Sequence, residues 1–320
     1  MRIVIGWVGA VVLLAGSIIA GVAIANATVF SASAFARDYL TSLADGRVDE
    51  VLALPGVDAE GLDQRMLDPL ALDAFSWELV GDTEADGVHR VTVAFTSGTT
   101  TGRATLHIER VGTRLALFPQ WGFARSPITA LSVTTTGDER LTVGRLPLEI
   151  ADGEPAVFAT LTPGVYRFSH DSEFLTSDEV TVAAVGGETS VEIDIVPSAA
   201  FLDAAQEALA DALAACADQH VLFPTGCPFG YAIENRVASE PEWTISQLPR
   251  VRLAPHEHVG SWALIGADGV AHLRVDVQSL FDGSVSTLER DVPFSAAYRV
   301  GFDGSAVVLA PAVDSADSAG

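Results

Sequence analysis

The chain opens on the run IVIGWVGAVVLLAGSIIAGVAIA, residues 3–25, where no charge interrupts 23 successive positions. As a helix rising about 1.5 Å per residue, such a run is long enough to cross the ~30 Å hydrocarbon core of a bilayer. The pattern then changes to helical spacing. Phe35, Tyr39, Leu40 and Leu43 recur three and four residues apart, Asp45-Gly46 breaks the run, and Val48, Val51 and Leu52 resume it. This predicts a helix, a turn and a second short helix. Strict alternation follows, with Val91, Val93 and Phe95 against Arg90 and Thr92, then Leu106 and Ile108 against Thr105, His107 and Glu109. Such alternation predicts half-buried strands, and Asp86-Gly87 marks a hairpin turn before the first of them. Helices followed by an antiparallel sheet predict an α+β module over 33–120, with the helices covering the sheet's apolar face and a boundary near Pro119 to Pro127.

From 127 to 197 there is no helical period. Short apolar runs at 131–133, 141–143, 156–158, 165–168, 180–182 and 191–195 predict a β-sandwich. In the last run Val191, Ile193 and Ile195 alternate with Glu192 and Asp194, so one face is buried and one is wet. A third module is predicted over 198–312. It opens with a helix whose stripe is Leu202, Ala205, Leu209, Ala212, Leu213 and Cys216, with Ser198 as its N-cap and Asp203, Glu207 and Asp211 on a solvated face. Strands follow near 243–246, 251–253, 261–265, 271–277, 287–292 and 298–302, punctuated by Asp268-Gly269, Asp282-Gly283 and Asp303-Gly304 as hairpin turns. The tail, 313–320, has the composition of a disordered segment. The fold class expected is therefore α+β and all-β modules after one transmembrane helix: helix plus antiparallel sheet, β-sandwich, and again helix plus antiparallel sheet.

Charge changes the range of partners. The 18 basic residues face 42 acidic ones, for a net charge of −24, and nucleic acid, which needs a basic stripe, is not expected as a partner. Every basic position is Arg, so chemistry requiring a lysine amine is excluded: a Walker-A loop, a kinase, a pyridoxal Schiff base, an S-x-x-K dyad. The opening apolar segment, 1–27, reads as an uncleaved single-pass anchor with a cytoplasmic amino terminus and an extracytoplasmic body. Ala25-Asn26-Ala27 also fits an A-x-A signal cleavage site, and cleavage there would give a secreted protein starting at Thr28.

Candidate chemistry is sparse. Cys216 and Cys227 are the two cysteines, joined by a short loop, and are expected to form a disulfide. Cys216, His220 and Cys227 as metal ligands lack a fourth partner. His256 and His258 lie on one side of an extended segment and are weak metal candidates, against the plainer reading of two surface histidines before a strand. Ser169-His170-Asp171 has triad names but adjacent residues face opposite ways. Asp82, Glu84, Asp86 and Gly87 imitate half an EF-hand loop, yet the twelfth position is Val93, so a hairpin explains them. Trp77, Trp121, Trp243 and Trp262 near proposed strands fit core packing before they fit a sugar or peptide groove. No catalytic or cofactor-binding residue and no cofactor is expected.

The helix-turn-helix opening, with Phe35, Leu43, Asp45-Gly46 and Val51-Leu52 ahead of the strands, resembles the NTF2-like or cystatin-like domains that follow a single membrane anchor in many bacterial envelope proteins. The resemblance implies a cavity cupped between helix and curved sheet, serving small-ligand or protein binding, or spacing, and it carries no catalytic residue. Leu161-Thr162-Pro163-Gly164-Val165-Tyr166 resembles the strand entry of Ig-like modules in envelope proteins, including the teicoplanin-resistance-associated membrane proteins. The function expected is a membrane-anchored binding, accessory or spacer protein of the envelope. Its partners would be the membrane, through the N-terminal helix, and an envelope protein or cell-wall component. An extracytoplasmic hydrolase or metal-dependent enzyme with an unidentified active site is the alternative.

Overall fold

In the computed structural model, which describes residues 2–151, 153–256, 261–303 and 306–311, antiparallel sheets dominate and helices are few. Helices α1 (Arg2–Thr28), α2 (Ala32–Ala44) and α3 (Val48–Leu52) precede the strands β1 (Ser76–Ala85), β2 (Val88–Ser97), β3 (Thr100–Arg114) and β4 (Phe118–Phe123). Next come β5 (Ile128–Thr136), β6 (Arg140–Val143), β7 (Leu146–Glu149), β8 (Ala156–Leu161), β9 (Gly164–Ser169), β10 (Leu175–Ser177), β11 (Val180–Ala184) and β12 (Thr189–Pro197). Helix α4 (Ala199–Ala217) leads into β13 (Arg236–Val237), β14 (Glu242–Gln247), β15 (Leu253–Pro255), β16 (Trp262–Leu264), β17 (Ala267–Gln278), β18 (Val285–Ala296), β19 (Tyr298–Asp303) and β20 (Ala306–Pro311). The chain divides into two compact units: Met1–Thr135, Arg140–Ser169 and Asp178–Ile193 form the first, and Thr136–Glu139, His170–Ser177 and Asp194–Gly320 the second.

In the first unit α2 starts where Ser31 Oγ accepts from Ala34 N at 3.1 Å and stops at Gly46, φ 72°. There Gly46 N donates to Leu43 O and Arg47 N to Ser42 O, the paired bonds of a Schellman stop. Between these caps α2 buries Ala36, Tyr39, Leu40 and Leu43 against the apolar face of the meander β1-β2-β3-β4, whose Val91, Val93, Phe95, Leu106 and Ile108 alternate inward as the sequence predicts. Phe123 closes the far edge, with its ring 5.2 Å from Phe35 and 5.0 Å from Tyr39. The approach of the 53–57 turn to Phe123 explains Gly56: at φ 83° a Cβ there would lie 2.1 Å from Phe123 O.

The same core takes in Ala159, Leu161 and Val165, so residues 33–120 and most of 127–197 belong to one unit. A buried hydrogen bond and a threaded segment join them. Tyr39 Oη, fully buried, donates to Thr162 O at 2.6 Å. Within 127–197 itself, Tyr166 Oη accepts from Leu161 N at 2.8 Å. Residues 59–73, a loop in the sequence, run beside β8 and β9 as an extra partner, with Ala159 N donating to Asp63 O and Asp73 N to Val165 O. Here β5 pairs antiparallel with β8 and lies next to β12, while β11, β9, β6 and β7 form a second sheet in that order. Strand β7 escapes the sequence reading because Pro147 interrupts its alternation.

Helix α1 is continuous over Arg2–Thr28, and its side chains are described from Leu13 onward apart from Ala15. Within the described residues no single helix is long and apolar enough to cross a membrane; Gly16–Thr28 and Ala32–Ala44, bent by 45°, pass only as a pair. The packing separates that pair. Leu13, Leu14, Ile18, Ile19 and Ile24 on α1 are exposed, whereas α2 lies under the sheet.

In the second unit Ser198 Oγ accepts from Phe201 N and caps α4 as expected. The buried stripe is Phe201, Ala205, Leu209, Leu213 and Cys216, so it starts at Phe201 rather than Leu202, because Phe201 joins a ring cluster with Phe174, Trp262 and Phe302. The sheets run β13-β17-β14, with β18 on β17, and β15-β16-β19-β20, while β10 pairs with the end of β12. Asp268-Gly269 is no turn: both lie within β17, opposite Ser295 and Phe294. A Cβ at Gly269 would meet Phe294 Cζ at 2.6 Å and Gln247 O at 2.8 Å, so this glycine serves close approach. Asp282-Gly283 does lie between β17 and β18, Gly304 falls outside the described residues, and so does 313–320.

Burial raises the Tyr39 and Tyr166 hydroxyls well above the ordinary phenol value, with the Tyr166 charge a second cause for Tyr39. The native state keeps both protonated while the unfolded chain releases their protons near pH ~10, so their stabilisation is complete below that pH and is lost as pH rises above it. With no lysine among its residues, the chain has little besides its four tyrosines to titrate there. Urea midpoints are therefore expected to hold up to pH ~10 and fall steeply above it. In Tyr39→Phe the fall should be shallower, with about 1–3 kcal/mol lost at neutral pH as the Thr162 carbonyl loses its donor. Cys216 and Cys227 are bonded, Cα atoms 5.8 Å apart, and reduction is expected to cost about 2–3 kcal/mol through the freed 11-residue separation, read as a lower melting temperature.

Candidate functional site

The outward face of the meander is polar by register. Directly opposed across β2 and β3 are Arg90 and His107, Thr92 and Thr105, and Ala94 and Arg103, so two guanidiniums and an imidazole share one surface. The next turn of chain adds Arg125, placed where Ala124 N donates to His107 O at 2.9 Å. Facing these residues, β5 and the Val185–Glu188 turn complete a groove of about 660 Å³ that lies wholly in the first unit.

The hydroxyls of the groove divide into two kinds. Ser126 Oγ is spent on structure: it donates to Asp58 O and accepts from Asp58 N and Ile128 N. Thr129 links the Thr160 and Thr162 hydroxyls at 3.1 and 3.3 Å, and Thr160 Oγ1 also donates to Thr129 O. Thr162 carries the carbonyl that Tyr39 holds, so the buried tie of the core also fixes the groove floor.

Neither Arg103 nor Arg125 has an ion-pair partner among the described residues, although Glu188 is in the lining. The contrast is a second groove of about 530 Å³ in the same unit, where Arg167 is paired with Asp73 at 2.8 Å. Burial, then the charges of Arg125 and Arg90, hold His107 below the ordinary imidazole value, so it is neutral at pH 7. Its ring is bonded to no serine, threonine or cysteine, so among the described residues the groove lacks a nucleophile–base pair. Two unpaired guanidiniums, a histidine ready to accept a proton and free hydroxyl capacity suit the holding of an anion.

The sequence candidates fall elsewhere. Cys216 and Cys227 are joined in the disulfide, which removes them from any metal set with His220, whose Nδ1 faces Pro241 O at 3.3 Å. His256 is held by its backbone N–H to Ser261 O at 3.0 Å, and His258 lies outside the described residues. No group of three or more metal-ligating side chains gathers among the described residues. Asp82 and Glu84 lie in β1 beside His89, with Asp82 Oδ1 2.9 Å from His89 Nδ1, and Asp86-Gly87 turns the hairpin at φ 54° and 77°. Trp262 and Trp243 are buried. The alternation of Arg90, Thr105 and His107 was the available signal for the groove; read alone, it marks a solvated face, and only the second wall makes it concave.

In an NMR titration His107 is expected to titrate below the usual imidazole range. Arg125→Gln should move it upward and Arg167→Gln should leave it in place.

Comparisons of the chain with protein-family models, with curated proteins and with solved structures gave no match.

Proposed function

We propose that this protein is an extracytoplasmic envelope protein, held by α1 as a retained single-pass anchor, whose first unit binds an anionic ligand without transforming it. The observation that carries the reading is the groove in which Arg103 and Arg125 stand unpaired on a chain of net charge −24. Carboxylates outnumber guanidiniums more than twofold along the sequence, so two arginines without a carboxylate partner in one concavity favour a ligand that supplies the negative charge. The anchor reading is supported by the uncharged run of 23 residues and by the exposed leucines and isoleucines of α1. It also draws support from Asn26, whose Nδ2 donates to Leu117 O at 3.0 Å, a bond that cleavage at Ala27 would remove. The disulfide fits an oxidising compartment.

We read the helices under a four-stranded meander as an NTF2-like or cystatin-like module, and the strands of 127–197 as an Ig-like one. In this reading the ligand site is the outer face of the meander, not the space between helix and sheet, which side chains fill.

The test is calorimetry on the full chain in detergent with tripolyphosphate and with citrate as probes. Each guanidinium contact is a charge-assisted bond of about 1.5–3 kcal/mol, so Arg103→Gln and Arg125→Gln are each expected to weaken binding about tenfold or more. Arg167→Gln should bind as the parent does. With sulfate as a third probe, whose charge is fixed over this range, affinity should rise from pH 7.5 to about 5.5 as His107, faced by Arg90, Arg103, Arg125, Glu109 and Glu188, takes up a proton against the bound anion. Equal affinity in all three variants would remove the groove as the site.

A further inference from the structure

The β3–β4 hairpin ends in a tip that no folding argument explains. Leu117 N donates to Arg114 O at 3.2 Å and closes a turn whose central residues, Leu115 and Ala116, have φ 53° and 57°. Both therefore occupy the left-handed region that a type I′ turn reserves for Asn and Gly. The side chains set there are apolar and uncovered: Leu115 is 78% exposed, Leu117 54% and Val111 50%. Arg110 and Arg114 flank them.

The tip has a fixed place beside α1. Trp121 Nε1 donates to Phe30 O at 2.8 Å, the Phe118 ring lies 4.4 Å from Phe30, and Asn26 Nδ2 donates to Leu117 O at 3.0 Å. Strand β4 and Leu117 just before it thus lie against the end of α1 and the residues that follow it, Asn26 to Phe30. Leu115 lies in the turn two residues from Leu117, whose carbonyl is held by Asn26 in the last turn of α1. Ile24 on α1 and Val29 just after it are themselves 65% and 67% exposed.

We propose that this hairpin tip is a second membrane contact, in which Leu115 and Leu117 enter the bilayer interface next to α1. Arg110 and Arg114 lie far enough back on their long stems to meet the lipid phosphates. The lipid surface is the same one that holds α1, and the inference rests on the reading of α1 as a retained anchor. One helix alone leaves a body free to swivel; a second insertion a few residues from its exit fixes the face that the first unit turns to the membrane.

Because the two cysteines are bonded to each other, an introduced cysteine can be labelled singly. Full-length Leu115→Cys, Ser17→Cys and Thr99→Cys, each carrying a nitrobenzoxadiazole label, would be placed in phosphatidylethanolamine–phosphatidylglycerol vesicles with and without nitroxide-labelled lipid. Position 99 reports the other end of β3, about 50 Å away at some 3.3 Å per residue. The expected result is quenching and a blue shift at positions 17 and 115 and neither at 99. Leu117→Asp in the Leu115→Cys background should abolish the quenching at 115. Quenching at 17 with position 115 behaving as 99 would overturn the hairpin contact and leave the anchor standing. Loss of quenching at 17, with protein not floating with vesicles, would overturn both. Quenching at 115 that survives Leu117→Asp would assign it to the label and overturn the contact.

Discussion

The buried bond from Tyr39 Oη to Thr162 O is the constraint around which the first unit is organised. A phenol without a water partner must find an acceptor, and the one it finds belongs to a segment more than a hundred residues away in sequence. That bond brings the 127–197 strands against α2, lets Ala159, Leu161 and Val165 enter the helix-and-sheet core, and holds Thr162 where its hydroxyl joins Thr129. The groove exists because the two walls share this floor. Its charge follows from register: with Leu106 and Ile108 committed inward, Thr105 and His107 have no other direction to point.

Much of this was legible in the sequence wherever a period or a capping residue carried it. The caps at Ser198 and Asp45-Gly46, the inward sets of β2 and β3, the Asp86-Gly87 turn and the cysteine pair follow from local chemistry that acts over a few residues. What local chemistry does not hold is which surfaces meet. Residues 59–73 look like a polar connection, and it is their backbone, blind to side-chain pattern, that pairs with β8 and β9. Gly269 looks like half of a turn because a glycine that permits a left-handed φ and one that admits a neighbouring ring are spelled alike. No local pattern sets Arg103 and Arg125 apart in the sequence; what does is that, among the described residues, neither is ion-paired, a property of the space around them.

The absence of lysine gives these arginines an added character. A guanidinium stays charged through the alkaline range and keeps a planar fork, so a site built from Arg103 and Arg125 offers the same fixed donors at any pH at which the fold survives. Within it His107 is the one group whose charge varies near neutrality, and it begins neutral because its neighbours and its burial oppose the proton. Permanent and conditional charge are thereby combined on adjacent residues of one sheet face.

The turn at Leu115-Ala116 bears on how such a chain can change over time. Two non-glycine residues held at positive φ cost about 1 kcal/mol or more apiece, and Asn-Gly at the same places would relieve most of it. Selection for folding alone would thus push both positions toward small polar residues, and any consensus-based stabilisation of the protein would do the same. A variant made more robust in solution by that route would lose the apolar tip, and with it the membrane contact proposed for that tip, behind a gain in its melting curve.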